Sequence, residues 1–505
     1  MAQKKDSKKM LVAELRSTHE DYETNYNEWR FMLACYEGTK ELVRLGLVKR
    51  NERETQANFN RRIEELYNFN YSKSVIDLFN FYLFKKPVKR TLPGLENDKF
   101  WTMFMEDCNL YGDAFDDFLT EMGRYASIMG AMGILVDKPN VEFDSQQEEL
   151  DEKIYPYVAA YFPTAILDWE FKRDKNGRPY LHYLKLLDDD ELYRMWWQDK
   201  YEVWELPEID ERTGIVSDDA EAKLVKKGVN KLGIIPFIWL YNLKATKRPL
   251  GISDINEVGR IDLSILRNLS GGEEIITYAA FPMMRKPMQE AKPDGLNPPV
   301  GEDEVGVTAV LEFDPEHPEG KPDWLNAAVA EPITAILEWV TRKVSEIYRS
   351  TNVGGMAAME VSTVAKSGVA LQAEFQLLNS NLVRKAVNLE KAEKSIIHYW
   401  LLWQVSEELF KKVNVERSRT YDVEQLATDL ENALTSKTLI KSEKFIKAIQ
   451  KSIARQMLPT FTDAEMKEVD DEIEESKPFE PPAFQPTPPG RGGKGEGEGE
   501  GEGEE

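Results

Sequence analysis

Cysteine and histidine are scarce in this 505-residue chain, with two of the first and four of the second. Cys35 and Cys108 lie in apolar or aromatic company and share no CxxC spacing, so a disulfide scaffold or a zinc knuckle is excluded. Buried thiols are expected. His19, His182, His317 and His398 have no second ligand at helical metal spacing, and Glu393 and His398, five positions apart, do not share a helix face. No GxSxG elbow is present, and neither cysteine has a histidine beside it. GRGGKGEG near the C-terminus lacks the preceding strand, the hydroxyl residue after Lys494 and the following helix that a phosphate loop requires. The run Asp188, Asp189, Asp190, Glu191 points in several directions from a strand or turn, which makes it a solvated turn rather than a cation site. No catalytic residue, cofactor or metal is expected.

Long apolar runs are also missing. IMGAMGILV at Ile128–Val136 and LGIIPFIWLY at Leu232–Tyr241 stop well short of the roughly 18 to 20 residues that cross a bilayer. They read as buried strands or helix cores, with no membrane partner. MAQKKDSKKM is followed by LVAELRSTHED, which has no apolar segment for a signal peptide, so the expected compartment is the cytosol. Bases are outnumbered, 65 to 89, giving a net charge of −24. Residues 477–505 hold three bases and seven acids, net −4, which leaves −20 in the rest of the chain. A protein that grips duplex DNA replaces phosphate counterions with Lys and Arg, and this balance excludes tight general binding. Loose passage of DNA stays open.

What is present is a large globular chain. Its length exceeds the roughly 250 to 300 residues at which one core stops growing, and 42% hydrophobic with 10% aromatic residues supply several lobes. The first 90 residues show apolar spacing of three and four; Val75, Leu78, Phe79 and Tyr82 form one face, and Pro87 ends that helix. Asp113–Met129 reads as a helix running into a strand, GAMGILVD. From Tyr155 to Leu240 short runs such as YLHYLKLL, YRMWWQ and YEVWEL alternate with polar turns, as in a small antiparallel sheet. IIPFIWLYN closes it, with Pro236 near an edge or bend. Aromatics interleaved with a base at Tyr193–Trp197 read as sheet core or subunit contact, not as a base-stacking platform.

A helix follows at SDINEVGRIDLSILRNL, with Asp254 and Glu257 at capping-box spacing and a stripe of Val258, Ile261, Ile265 and Leu269. Gly271 and Gly272 are expected to weaken or bend it. Residues Phe281–Ala330 are rich in proline and glycine, with one strand candidate, VGVTAVLEF, and cannot hold a large core alone. A second helix opens at Glu331-Pro332 with Ile333, Ile336, Val340, Val344 and Ile347 at spacings of three and four. Small residues and methionines crowd the next stretch, Gly354–Phe375, and beyond it Leu371, Phe375, Leu378, Leu382, Ala386, Leu389, Ala392, Ile396, Tyr399 and Trp403 mark one helix of about 50 Å. A helical block, Val423–Ser476, includes a capping box at Thr462 and Glu465, and the tail after it is disordered by composition.

This order of parts resembles the portal (head-to-tail connector) proteins of tailed bacteriophages, of the long-tailed type. YSKSVIDLFNFYLFKKPV is similar to the family's N-terminal helix ending at a lysine- and proline-containing turn. IIPFIWLYN followed by SDINEVGRIDLSILRNLSGGEE resembles its passage from the last wing strand into the first stem helix. SGVALQAEFQLL resembles the start of its long wing helix, and TSKTLIKSEKFIKAI its C-terminal helices. The resemblance covers Thr18–Glu475; the glycine pair and the acidic tail depart from it.

The resemblance implies an α+β, mainly helical portal fold with wing, stem, clip and crown regions. Residues 1–250 would be the N-terminal part of the wing, 251–280 the first stem helix, 281–330 the clip, 331–349 the second stem helix and 350–366 the tunnel loop. Residues 367–412 would be the long wing helix, 413–476 the crown and 477–505 the tail. In the tunnel loop Asn352, Gly354, Gly355, Met356, Met359 and Lys366 would face DNA, with glycine giving backbone freedom and methionine flexible apolar surface. Val258, Ile261, Ile265, Leu269, Ile336, Val340, Val344 and Ile347 would pack the stem, whose stripes a single chain is not expected to bury.

The resemblance implies a ring, commonly of twelve copies, at one capsid vertex of a virion assembled in the host cytoplasm. It would pass double-stranded DNA during packaging and ejection. The implied partners are the terminase large subunit, a head-completion adaptor, and the major capsid and scaffolding proteins. Two other readings stand beside it: another helix-rich structural or adaptor protein of the virion, and a metal-dependent nuclease using the acidic residues.

Overall fold

The computed structural model describes residues 11–421 apart from 53, 142, 190–191, 207–221, 248, 281–282, 286–322, 326–329, 353–367 and 420; beyond them it describes residues 463–475 and isolated positions between 444 and 458. The chain divides into two units, Met1–Tyr421 and Asp422–Glu505. In the second, the helix Asp463–Glu475 starts one residue after Thr462, and Glu474 is paired to Lys451 at 2.9 Å.

The first unit mixes helix and strand. Its long helices are α1 (Glu20–Glu37), α2 (Tyr71–Phe84), α3 (Phe115–Met129), α4 (Asn256–Ala280), α5 (Ala330–Ser350) and α6 (Gly368–Trp403). The strands, in chain order, are β1 (Lys89–Thr91), β2 (Ala131–Asp137), β3 (Tyr157–Tyr161), β4 (Ile166–Arg173), β5 (Pro179–Asp189), β6 (Leu192–Trp197), β7 (Lys200–Glu205), β8 (Lys223–Val229), β9 (Phe237–Tyr241), β10 (Leu243–Lys244), β11 (Gly251–Ile252), β12 (Met283–Arg285), β13 (Asp323–Leu325) and β14 (Asn414–Glu416).

Strands β4 to β8 form the expected antiparallel meander in sequential order, but β9 does not close it. Its partner is β2, in a separate sheet of order β3-β2-β9, where β9 starts at the edge directly after Pro236. The reason lies in β2: AMGILVD is buried on nearly every residue, because Met132, Ile134 and Val136 face the helical core while Leu135 faces a second core beneath the meander. A strand covered on both sides needs neighbours at both edges. The meander core supports the reading of Tyr193–Trp197 as sheet core, since Met195 and Trp196 are buried. Asp188 is corrected. It is no solvated turn residue, because its strand position turns it toward Tyr161, whose hydroxyl donates at 2.6 Å, and Arg194, whose Nε donates at 2.7 Å.

The helical core gathers around α6. Leu378, Leu382, Ala386, Leu389, Ala392 and Ile396 are buried as the spacing predicts, and Trp400 and Leu401 take over from Tyr399 and Trp403 as the stripe drifts. At 36 residues the helix spans about 54 Å. Past its end the chain returns to pair β14 with β1, so residues 413–421 belong with the first unit. A buried ion network fastens that return: Glu393 accepts from Arg90 Nε and from Arg417 at 2.8 Å, and Glu390 accepts from Arg419 at 2.7 Å. Both cysteines are buried and free, as expected.

Candidate functional site

Helices α4 and α5 form an antiparallel pair. Lys343 Nζ donates to Ser264 Oγ at 2.7 Å, and a Cβ on Gly272 would lie 3.8 Å from Ile336 Cγ2, so residue numbers rise along one helix as they fall along the other. α4 has 25 residues and is about 37 Å long. It runs unbroken through Gly271 and Gly272. No break marks the pair, and a Cβ at Gly272 would make only ordinary contact with Ile336. At the far tip, β12 leaves α4 and pairs antiparallel with β13, which leads into α5. Residues 305–313, with the strand expected there, lie outside the described residues.

The near end is held by groups whose role the sequence spacing did not show. Gly130, which ends α3, and Gly251, which opens the approach to α4, cross so closely that a Cβ on Gly251 would sit 1.9 Å from the Gly130 oxygen. Only two glycines permit that approach. Asp254 is not a cap residue as its spacing suggested. Its carboxylate pairs instead with Lys385 of α6, both being almost wholly buried, and Lys385 Nζ stands 4.3 Å over the Phe79 ring. Burial lowers the Lys385 pKa, and the Asp254 charge opposes that shift. Asn242 donates to the Ile252 oxygen at 2.9 Å and receives Asn388 Nδ2 on its own oxygen at 2.8 Å, tying α6 to the same crossing.

One turn further, Gly259 brings α4 against Cys35 of α1, whose thiol burial pushes up to about 12. Asp262 then reaches the first turn of α2, where it accepts from Ser72 N at 3.0 Å and Ser72 Oγ at 2.7 Å. Burial raises the Asp262 pKa against those hydrogen bonds. A carboxylate there completes orphan donors of α2 and meets the positive end of its dipole. The available signal was a polar residue at an inward helical position, which both Asp262 and Lys385 occupy.

The predicted stem residues divide by position. Val258, Ile265, Val340, Val344 and Ile347 are buried, and Ile261, Leu269 and Ile336 are half-buried against the same core. The expectation that one chain cannot bury these stripes is therefore corrected: α1 and α2 pack on the near half of α4, and α4 packs on α5. Ile276 nearer the tip, and Leu337 and Trp339 at mid-arm on other faces of α5, remain 46%, 55% and 52% exposed. Leu337 and Trp339 stand about 200° apart on α5, so its apolar surface opens on two sides.

α5 ends sharply. Thr351 is buried and its Oγ1 donates to the Ile347 oxygen at 2.8 Å, while Asn352 takes φ +59° with its N–H donating to the Arg349 oxygen at 3.3 Å. Asparagine tolerates that left-handed conformation better than most residues. Of the predicted tunnel-loop residues, Asn352 thus turns the chain away from α5. Gly354, Gly355, Met356, Met359 and Lys366 lie outside the described residues.

Among the described residues no cluster of three or more His, Cys, Asp and Glu side chains is arranged to hold a metal ion. A cleft beside the glycine crossing, lined by Trp29, Trp169, Trp239 and Pro249, carries no titratable side chain. His19 caps α1 and stacks on Trp169 at 4.2 Å, and His398 stacks on Phe410 at 4.3 Å. No helix among the described residues is long and apolar enough to cross a membrane. What the arrangement offers is mechanical: a two-helix arm welded to the body at one end and open at the other.

No family model matches the chain. No curated protein matches it either. Solved structures similar to it include the neck of an empty gene transfer agent particle computed with C6 symmetry, at 11% identity and a TM-score of 0.41 over 75% of this chain and 89% of the other. The virion of a native gene transfer agent particle gives 10% and 0.41 over 77% and 89%. The neck of a native particle computed with C12 symmetry gives 11% and 0.35 over 79% and 89%.

Proposed function

We propose that this chain is a phage portal protein, a non-enzymatic ring subunit at one capsid vertex that conducts double-stranded DNA and docks the terminase and head-completion proteins. The observation that supports it best is the α4–α5 arm. Its stripes are covered by the chain's own body near Asp254 and Asp262 and uncovered at Ile276, Leu337 and Trp339. A head-to-tail contact repeated by rotation covers such surface on every copy and leaves no open end.

The acidic balance suits conduction. Each Lys or Arg that displaced a phosphate counterion would add affinity to be lost again at every step of movement, and a chain of net charge −24 avoids that. In this reading the segment after Asn352, between the end of α5 and the start of α6, borders the bore.

Two experiments bear on the reading. Rings equilibrated with duplex DNA at physiological salt are expected to bind with a Kd weaker than about 10 µM; tight retention would contradict a conduit. Deleting Asn352–Val364 is expected to leave rings intact and stop packaging, and unimpaired packaging would remove the tunnel-loop assignment.

A further inference from the structure

Gly271 and Gly272 lie in the outer half of α4, both in helical backbone. Nothing in the packing asks for glycine at either position. A Cβ at Gly271 would meet no atom within 4 Å, and one at Gly272 would touch Ile336 at an ordinary 3.8 Å. Each glycine in a helix interior loses more backbone entropy than alanine and lowers the helix propensity. Ser270 precedes them, and sharp helix bends gather at such Gly/Ser groups. The pair is a weak turn in an otherwise continuous helix.

At the same level the short helix Gln56–Glu64 and residues 65–67 grip α4 on both sides of the pair. Before it, Arg62 Nη1 donates to Ser270 Oγ at 2.9 Å, and Arg62 is itself fixed to Glu54 at 2.8 Å and to the Lys49 oxygen at 3.2 Å. Arg62 and Ser270 are both buried. After it, Arg61 pairs with Glu274 at 2.7 Å and the Tyr67 hydroxyl donates to Glu273 at 2.7 Å. These outer ties are open to water, with the Arg61 side chain 36% and Tyr67 43% exposed. Ties of that kind are weak and are screened by salt. Nothing else holds the outer part to the body: residues 273–277 of α4 and 330–335 of α5 include no buried side chain.

We infer that Gly271 and Gly272 form a hinge in the arm and that Arg61, Arg62 and Tyr67 are its splint. Arg62 grips the root side and Arg61 and Tyr67 the tip side, so the splint spans the weak turn and keeps the two parts of α4 in line. When the outer ties open, the roughly 12 Å of α4 beyond the pair tilts, together with the first turn of α5 and the β12–β13 tip. The root keeps its geometry, because the crossing of Gly130 with Gly251 and the pair of Asp254 with Lys385 lie on the other side of the hinge. The device belongs to the single chain and stands whether or not copies close into a ring. It lets the tip take an angle that the root does not set.

Pulsed electron spin distance measurements on the full chain test it, with nitroxide labels at Glu52→Cys, near the fixed end of the splint, and Ile276→Cys, beyond the hinge. Both positions are exposed, and the native thiols Cys35 and Cys108 are buried. One narrow distance is expected for this labelled chain. Adding Arg61→Gln and Tyr67→Phe is expected to bring in a second population displaced by about 5 Å, the shift that a bend of roughly 25° gives over that lever. Adding Gly271→Ala and Gly272→Ala as well is expected to remove it, since alanine fits both positions and stiffens the helix. A second population that persists with the alanines places the motion elsewhere and overturns the hinge. A single distance in the Arg61 and Tyr67 variant, or two distances before those substitutions are made, overturns the splint.

Discussion

The two ends of the α4–α5 arm are built on different rules. At the root, the paired Asp254 and Lys385, the hydrogen-bonded Asp262 and the glycine crossing leave little freedom: buried charge and backbone contact both demand one geometry. Away from the root, Leu337 and Trp339 at mid-arm and Ile276 nearer the tip leave apolar surface in solvent. The root is finished within one chain; under the proposed ring reading a neighbouring copy would cover the exposed residues further out.

Substitutions at the root and tip separate these rules. Gly251→Val has the largest expected effect, since any Cβ collides with the Gly130 backbone oxygen at 1.9 Å. It is expected to lose more than about 4 kcal/mol of stability or fail to fold, measured by denaturant unfolding. Lys385→Met leaves the Asp254 carboxylate buried without its partner and should lose about 3–5 kcal/mol by the same measurement. A loss below about 1 kcal/mol would mean the pair is not buried as described.

Asp262 sharpens the comparison through pH. Its folded pKa is raised by burial, so the native state holds the proton more tightly than the unfolded chain. Its contribution is therefore most favourable at low pH and is lost as pH rises from the ordinary carboxylate pKa through the raised one. Asp262→Asn should flatten that decline in unfolding free energy between acid and neutral pH, and an unchanged slope would contradict the assignment.

Val405 lies outside the arm and shows what an uncompensated exposed side chain does. It is 93% exposed at φ +54°, in the turn where Ser406 N–H donates to the Leu401 oxygen at 2.9 Å. Val405→Gly relieves the left-handed strain and is expected to stabilise by about 1 kcal/mol. At the tip, Ile276→Ser should change single-chain stability by less than about 0.5 kcal/mol while weakening ring assembly. If it lowers the single chain's stability instead, the tip is finished internally and the contrast with the root fails.

Much of this was legible in the residues. Helical spacing located α2, α3, α4, α5 and α6, and alternating aromatic runs located the meander. Register and pairing were not legible: IIPFIWLY looked like the last meander strand because its composition carries no record of β2 as partner. The root was hidden for a related reason. Asp254 and Glu257 match a capping box by spacing, and only the approach of Lys385 from 131 residues away shows what the carboxylate does. Gly130 and Gly251 look like ordinary turn glycines until the chain crosses itself. The stripe residues were legible as apolar faces, but which half of each face the body covers depends on tertiary packing that periodicity does not encode.

Negative-stain images of the purified chain at micromolar concentration test the central claim most directly. Closed rings with one central opening are predicted; single subunits or open filaments under every assembly condition would contradict it.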